Sequence, residues 1–190
     1  MRKQPEVTDA TRKAIMDAFW EIYQTTPIDK ISVKHITDAA HVHRSTFYRY
    51  FTDIYQVLNE LEQEVMEEIT VTLCTKIQPK QMTDLLSHAD VMAGALKDYA
   101  PILSHLTSPS GDGEFRNKLQ CQMRMVFQQF VPNNGTLEAD YLFCLIFNTI
   151  LFNLSYWHKK RETCTLEEVC LLSRQLIGAG LEEYMTKMEI

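Results

Sequence analysis

Residues 31–51, ISVKHITDAAHVHRSTFYRYF, constrain the fold more than any other stretch, because apolar side chains recur there at helical spacing in two short runs parted by three residues. Ser32 can cap the first run through its hydroxyl, and Val33, Ile36 and Ala40 then share one face, leaving Lys34, His35 and Asp38 toward water. The first helix closes at Ala40. In the turn His41-Val42-His43 the valine can fill the hollow between the helices, and Phe47 and Phe51 repeat at i+4 as the buried side of the second helix. The opposite face presents Arg44, Ser45, Thr46, Tyr48, Arg49 and Tyr50, which together offer two fixed cations and four hydroxyl groups.

That face suits DNA. Arginine reaches the paired acceptors of guanine in the major groove, while hydroxyls and the free amides of a helix start suit phosphate oxygens. The second helix of a helix-turn-helix does this work, with Lys34 and His43 placed to add contacts at its margin. The plain alternative, a solvated helix whose cations serve only solubility, fits each residue singly and fits the whole spacing poorly.

The segment resembles the N-terminal domain of the TetR family of transcriptional regulators, whose signature runs small residues, Gly-Val-Ser, then Thr-Leu-Tyr-x-Tyr-Phe and an Asn/Ser-Lys pair. The matching residues are Ile36, Ala40, Val42, Thr46, Phe47, Tyr48, Tyr50 and Phe51, and the motif covers about a quarter of the chain. The resemblance implies that Arg44, Ser45 and Arg49 face bases or nearby phosphates and that Thr46, Tyr48 and Tyr50 fix the helix on the DNA backbone. Three positions depart from it. His41 stands for the turn glycine, His43 for the capping serine and Ile54 for the lysine that follows the next cap, so strain in the turn, a weaker cap and one missing phosphate contact are expected.

A formal net charge of -6 argues against a nucleic-acid binder until its distribution is read. Residues 1–50 hold eight Lys and Arg against six Asp and Glu, a balance of +2, so the rest of the chain carries -8. A mildly basic head on an acidic body grips DNA at one end only. With 190 residues the chain can bury one small head and one larger body, and we expect residues 1–52 to form a helix-turn-helix DNA-binding domain and residues 53–190 a helical ligand-binding and dimerisation domain.

Helical periodicity extends almost everywhere, which predicts an all-α fold: a three-helix head and a larger C-terminal bundle, about nine helices in total. Thr8 or Asp9 can cap a first helix through about Gln24, with Ala14, Ile15, Ala18, Phe19 and Ile22 inward. Asp53 starts a long helix through Leu73, suited to carry strain from body to head. Helices are then expected over about 82–99, 101–106, 114–130 and 137–158, with breaks at Ser108-Pro109-Ser110-Gly111-Asp112-Gly113 and Pro132-Asn133-Asn134-Gly135. Thr165 with Glu168 forms a capping-box start for a last helix through Met185.

The penultimate helix is apolar most of the way round, with Phe143, Phe147, Ile150 and Leu154 on one side and Leu142, Leu145, Phe152 and Tyr156 on others, so it needs cover on two sides. Either the monomer encloses it or a second copy does. We expect a homodimer through Phe143, Phe147, Ile150 and Leu154 with Leu176 and Leu181 of the last helix, the pair that the resemblance also implies. Two heads on a two-fold axis predict a palindromic double-stranded DNA operator.

In TetR-like proteins the body holds a small-molecule pocket. Tyr99, Phe115, Met123, Phe127 and Trp157 could line one here or be ordinary core, and without a cluster of charges there the expected effector is small and apolar or amphipathic. The expected function is a repressor released by that effector. A transcriptional activator of the same fold, or a helical protein-interaction module that has lost strong DNA binding, stays open.

An enzyme is disfavoured by the lack of a Gly-rich phosphate loop, a nucleophile elbow or an H-E-x-x-H pattern, and no cofactor is expected. Cys74, Cys121, Cys144, Cys164 and Cys170 are odd in number, without C-x-x-C spacing, and read as reduced, mostly buried thiols rather than a zinc site or disulfide framework. The polar, charged start holds no signal peptide, and the most apolar run, 141–157, is interrupted by Asn148, Thr149, Asn153 and Ser155 and is short for a membrane span. A cytoplasmic protein without a membrane partner is expected.

Overall fold

A computed structural model of the chain describes residues 5–76, 95–108, 111, 113–128 and 135–178. Eight α-helices and no strand stand among the described residues, which fall into two compact units, Met1–Val65 and Met66–Ile190.

In the first unit α1 (Pro5–Tyr23) opens earlier than a Thr8 or Asp9 cap would place it. Proline is at home in a first turn, where its missing N–H falls among amides that have no helical partner anyway. Pro27 precedes a single 3-10 turn, Ile28–Lys30. At α2 (Val33–Ala39) Ser32 Oγ accepts from the His35 amide and His35 Nδ1 accepts from the Ser32 amide, both at 3.3 Å, which closes a capping box. α3 (Arg44–Phe47) is a single α-helical turn, and residues 48–50 continue it as tighter turn.

Ahead of α4 (Ile54–Lys76) Asp53 Oδ1 accepts from the Gln56 amide at 2.9 Å, and Gln56 Oε1 accepts from the Thr52 amide at 2.7 Å. Ile15, Phe19, Tyr23, Ile36, Phe47 and Phe51 are enclosed as one core, and Val57, Leu58 and Leu61 of α4 are buried with them. Tyr23 escaped the stripe read from the sequence. Arg12 ties α1 to α4, donating from Nε to Glu60 at 2.9 Å and from Nη1 to Glu64 at 2.8 Å.

The second unit is built on one long helix. A 3-10 turn, Lys97–Tyr99, leads into α5 (Ala100–Leu106), followed by α6 (Phe115–Gln128), α7 (Leu137–Lys160), α8 (Leu166–Ser173) and a π-helical turn, Arg174–Gly178. α5, α6 and α8 all pack on α7. Thr136 caps α7 by accepting from the Ala139 amide at 3.2 Å, and Thr165 and Glu168 cap α8 reciprocally, the box expected there.

Gly111 lies against the end of α5, where a Cβ would run into the His105 and Leu106 carbonyl oxygens, so that position admits only glycine. The helix expected over 82–99 lies mostly outside the described residues, as do half of the first expected break, most of the second and the last helix beyond Gly178. Leu181 is outside them too.

A polar ladder sets the register of α6 on α7. Arg116 donates to Asn148 Oδ1, Gln120 Nε2 to Cys144 Sγ at 3.8 Å, and Arg124 to both Asp140 and, at 3.7 Å, Cys144 Sγ. Steps of four down α6 meet steps of four up α7, as antiparallel helices require. Inside the ladder Phe127 packs edge-on against Phe143, with centroids 5.2 Å apart.

By length and composition α7 alone among the described helices could cross a membrane, with a mean hydropathy of 1.4 over its most apolar 18 residues. Here Leu142, Phe143, Ile146, Phe147, Leu151 and Leu154 are buried within the unit. The cysteines differ from expectation. All five are free thiols, but Cys74 and Cys121 are exposed on outer faces of α4 and α6, and Cys144, Cys164 and Cys170 are only half-buried.

Candidate nucleic-acid interface

The turn before α3 begins where α2 ends. The Val42 amide donates to the Thr37 carbonyl at 3.0 Å and the His41 amide to Asp38 at 3.4 Å, the paired closing bonds of a helix that ends on a left-handed residue. His41 supplies that residue with φ 53, the one positive φ of a non-glycine in the chain's described backbone. The strain expected from a missing glycine is therefore present. His43, in the cap position of α3, makes no side-chain cap hydrogen bond, as expected of a poorer cap.

From this turn the sequence splits cleanly by face. Phe47 and Phe51 are buried with ring centroids 5.7 Å apart, while Arg44, Ser45, Tyr48 and Arg49 are exposed and Thr46 and Tyr50 half-buried. Tyr48 rests edge-on against Phe47 at 5.5 Å with 59% of its surface in solvent. Lys34 and His43 are exposed beside this face. Among the described residues neither Lys34 nor Arg44 makes an ion pair, so their charges are available to an anionic partner. The backbone of 46–51 is held by short-range bonds from Arg49 to Thr46 at 3.1 Å, Tyr50 to Phe47 at 2.9 Å and Phe51 to Phe47 at 3.0 Å.

Residues 15–61 match the family model described as bacterial regulatory proteins, tetR family. Over those residues, about a quarter of the chain, it is similar to that family's regulators. No curated protein sequence matches it. The fold is that of solved TetR-type structures. A TetR transcriptional regulator from Streptococcus agalactiae 2603V is 20% identical, with 91% of this chain and 96% of that one covered and a TM-score of 0.59. The fatty acid degradation regulator FadR from Bacillus halodurans is 18% identical at a TM-score of 0.61, with 93% and 96% covered. The dihydroxyacetone kinase operon activator DhaS is 17% identical at 0.56, with 90% and 96% covered.

In the second unit the candidate lining residues are unevenly buried. Phe115 and Phe127 are buried core, whereas Tyr99, Met123 and Trp157 are half-buried. Burial pushes the Tyr99 phenol above its ordinary value, a hydrogen bond to the Glu68 carboxylate adds to this, and one from Thr72 offsets part of it. Of the residues expected at a dimer face, Phe143, Phe147 and Leu154 are buried within the unit and Ile150 packs against Ala95, while Leu176 is 82% exposed.

Apolar groups left at the surface of α7 and α8 are Tyr141, Phe152, Tyr156, Leu171 and Leu172. Both faces of α7 are apolar, so spacing alone does not separate them. Which one turns inward depends on where α5, α6 and α8 sit.

Proposed function

We propose that the chain is a repressor that binds a palindromic operator as a homodimer and lets go when a small effector occupies its body. The observation that carries this is the exposed face of 44–50, where guanidinium and hydroxyl groups stand outward over a closed phenylalanine core. In this reading Arg44 and Arg49 meet bases or phosphates, and Ser45, Thr46, Tyr48 and Tyr50, with Lys34 and His43 at the margin, hold the phosphate backbone. Residues 1–52 are the DNA-binding part and residues 53–190 the dimerising and effector-binding part, and the regulator works in the cytoplasm, beside its DNA.

The dimer face in this proposal is the outer side of α7, with Tyr141, Phe152 and Tyr156, joined by Leu172 and Leu176. Asn148 and Cys144, bonded to Arg116 and Arg124, border it, which suits an interface with another protein surface better than one with lipid. Tyr99, Met123 and Trp157, half-buried, are the side chains that an apolar or amphipathic effector would touch. The effector acts by preferring one spacing of the two heads over the other.

Selection of bound sequences from a random DNA pool by the purified protein tests the reading in one step. The expected product is a two-fold symmetric site with half-sites about one helical turn apart or somewhat more. Arg44→Ala or Arg49→Ala should weaken binding to it. Enrichment of no sequence would leave a protein-interaction module as the better account, and transcription from the selected site would separate repressor from activator.

A further inference from the structure

We infer that Tyr50 acts on DNA through Arg49: its ring holds the guanidinium in one orientation, so that Arg49, not Arg44, makes the more discriminating base contact. The inference rests on the DNA-binding reading above and assigns within it a role that the face alone does not. Arg49 Cζ lies 5.7 Å from the Tyr50 ring centroid, inside the range in which a cation is drawn to an aromatic face. The platform is itself fixed. Tyr50 is half-buried, its amide bonds the Phe47 carbonyl at 2.9 Å, and Phe51 beside it is 1% exposed.

Arg49 is exposed apart from this support, and its amide is tied to Thr46 at 3.1 Å, so both ends of the cation–ring pair start from restrained backbone. Among the described residues Arg44 makes no such contact. An arginine that reads guanine must present two parallel N–H groups in one plane, and a side chain already stacked has less freedom to lose when it does so. A phosphate contact makes no such demand, because the phosphate accepts from many directions. The stacked arginine is thus suited to discrimination and the unstacked one to attraction.

This separates the two parts of Tyr50. If the ring matters through Arg49, Tyr50→Phe keeps the base preference although it removes the hydroxyl, whereas Tyr50→Leu flattens the preference at the base pair that Arg49→Ala flattens. The measurement is pool selection followed by titration of the selected site and single-base variants, on the full-length protein and each mutant, with thermal melts to show that they fold.

Tyr50→Leu is expected to bind the selected site roughly two- to fivefold more weakly than Tyr50→Phe, the range of an exposed cation–ring pair. Against Tyr50→Phe, which lacks the hydroxyl as well, the leucine variant should bind unrelated DNA equally, and its extra loss at the selected site should vanish in an Arg49→Ala background. Tyr50→Met, which likewise lacks a ring, provides the same comparison should the leucine variant fail to fold. If the wild type selects a site and the Phe variant loses base preference as Arg49→Ala does, or the Leu variant keeps it, the role of Tyr50 is overturned alone. If the wild type selects nothing, the DNA reading falls and takes this inference with it.

Discussion

His41 holds the turn between α2 and α3 at φ 53, a conformation that costs a side chain with a Cβ energy and costs glycine little. His41→Gly should therefore stabilise the protein by roughly 1 kcal/mol, despite the added freedom of the unfolded chain, and denaturant titration of both proteins would read it. No gain, or a loss, would mean that the histidine side chain contributes more than its backbone costs. Ile54 is a second departure with a measurable effect. It stands half-buried at the start of α4, and Ile54→Lys should steepen the dependence of log affinity on log salt by about 0.9 if the new ammonium reaches one phosphate. An unchanged slope would place position 54 away from the duplex.

Among elements, α7 shows where a sequence stops being legible. Its outer and inner faces are both apolar, so substitution distinguishes them better than composition does. Phe152→Glu, on a side chain 63% exposed, should leave a folded monomer, whereas Phe147→Glu, 6% exposed, should unfold or aggregate the protein. Sedimentation reads the first outcome against a dimer of about twice 22.1 kDa, and circular dichroism the second. The head was legible for a physical reason: Ser32, His41, Phe47 and Phe51 act within a few residues of themselves, and local spacing decides caps, turns and short cores. The split between faces was legible there too, since Arg44, Ser45, Tyr48 and Arg49 are outward as their spacing requires. The approach of Arg49 to the Tyr50 ring was not, because neighbours in sequence reveal nothing of rotamers. Nor was the face of α7, which is set by three partners brought from elsewhere in the chain.

At the scale of the whole molecule, stability should depend on two histidines. Burial lowers the pKa of His105, and burial followed by Arg161 and Lys159 lowers that of His158. Each folded value thus lies below the ordinary 6.5, so between the two values the unfolded chain binds more protons than the native one. Stability is fully present above pH 6.5 and falls as the pH drops through this window. A denaturation midpoint measured from pH 8 downward should decline, and His105→Gln should flatten the decline. An equal slope in that variant would assign the acid sensitivity to His158 or to carboxylates instead. The pairing of Arg116, Gln120 and Arg124 with Asn148, Cys144 and Asp140 restricts motion as well as packing. A small slide of α6 would unseat all its rungs together, and the next arrangement that seats several of them again is a full turn away, about 5.4 Å. Such a pair behaves as a detent: it resists small pushes and yields only by a whole click.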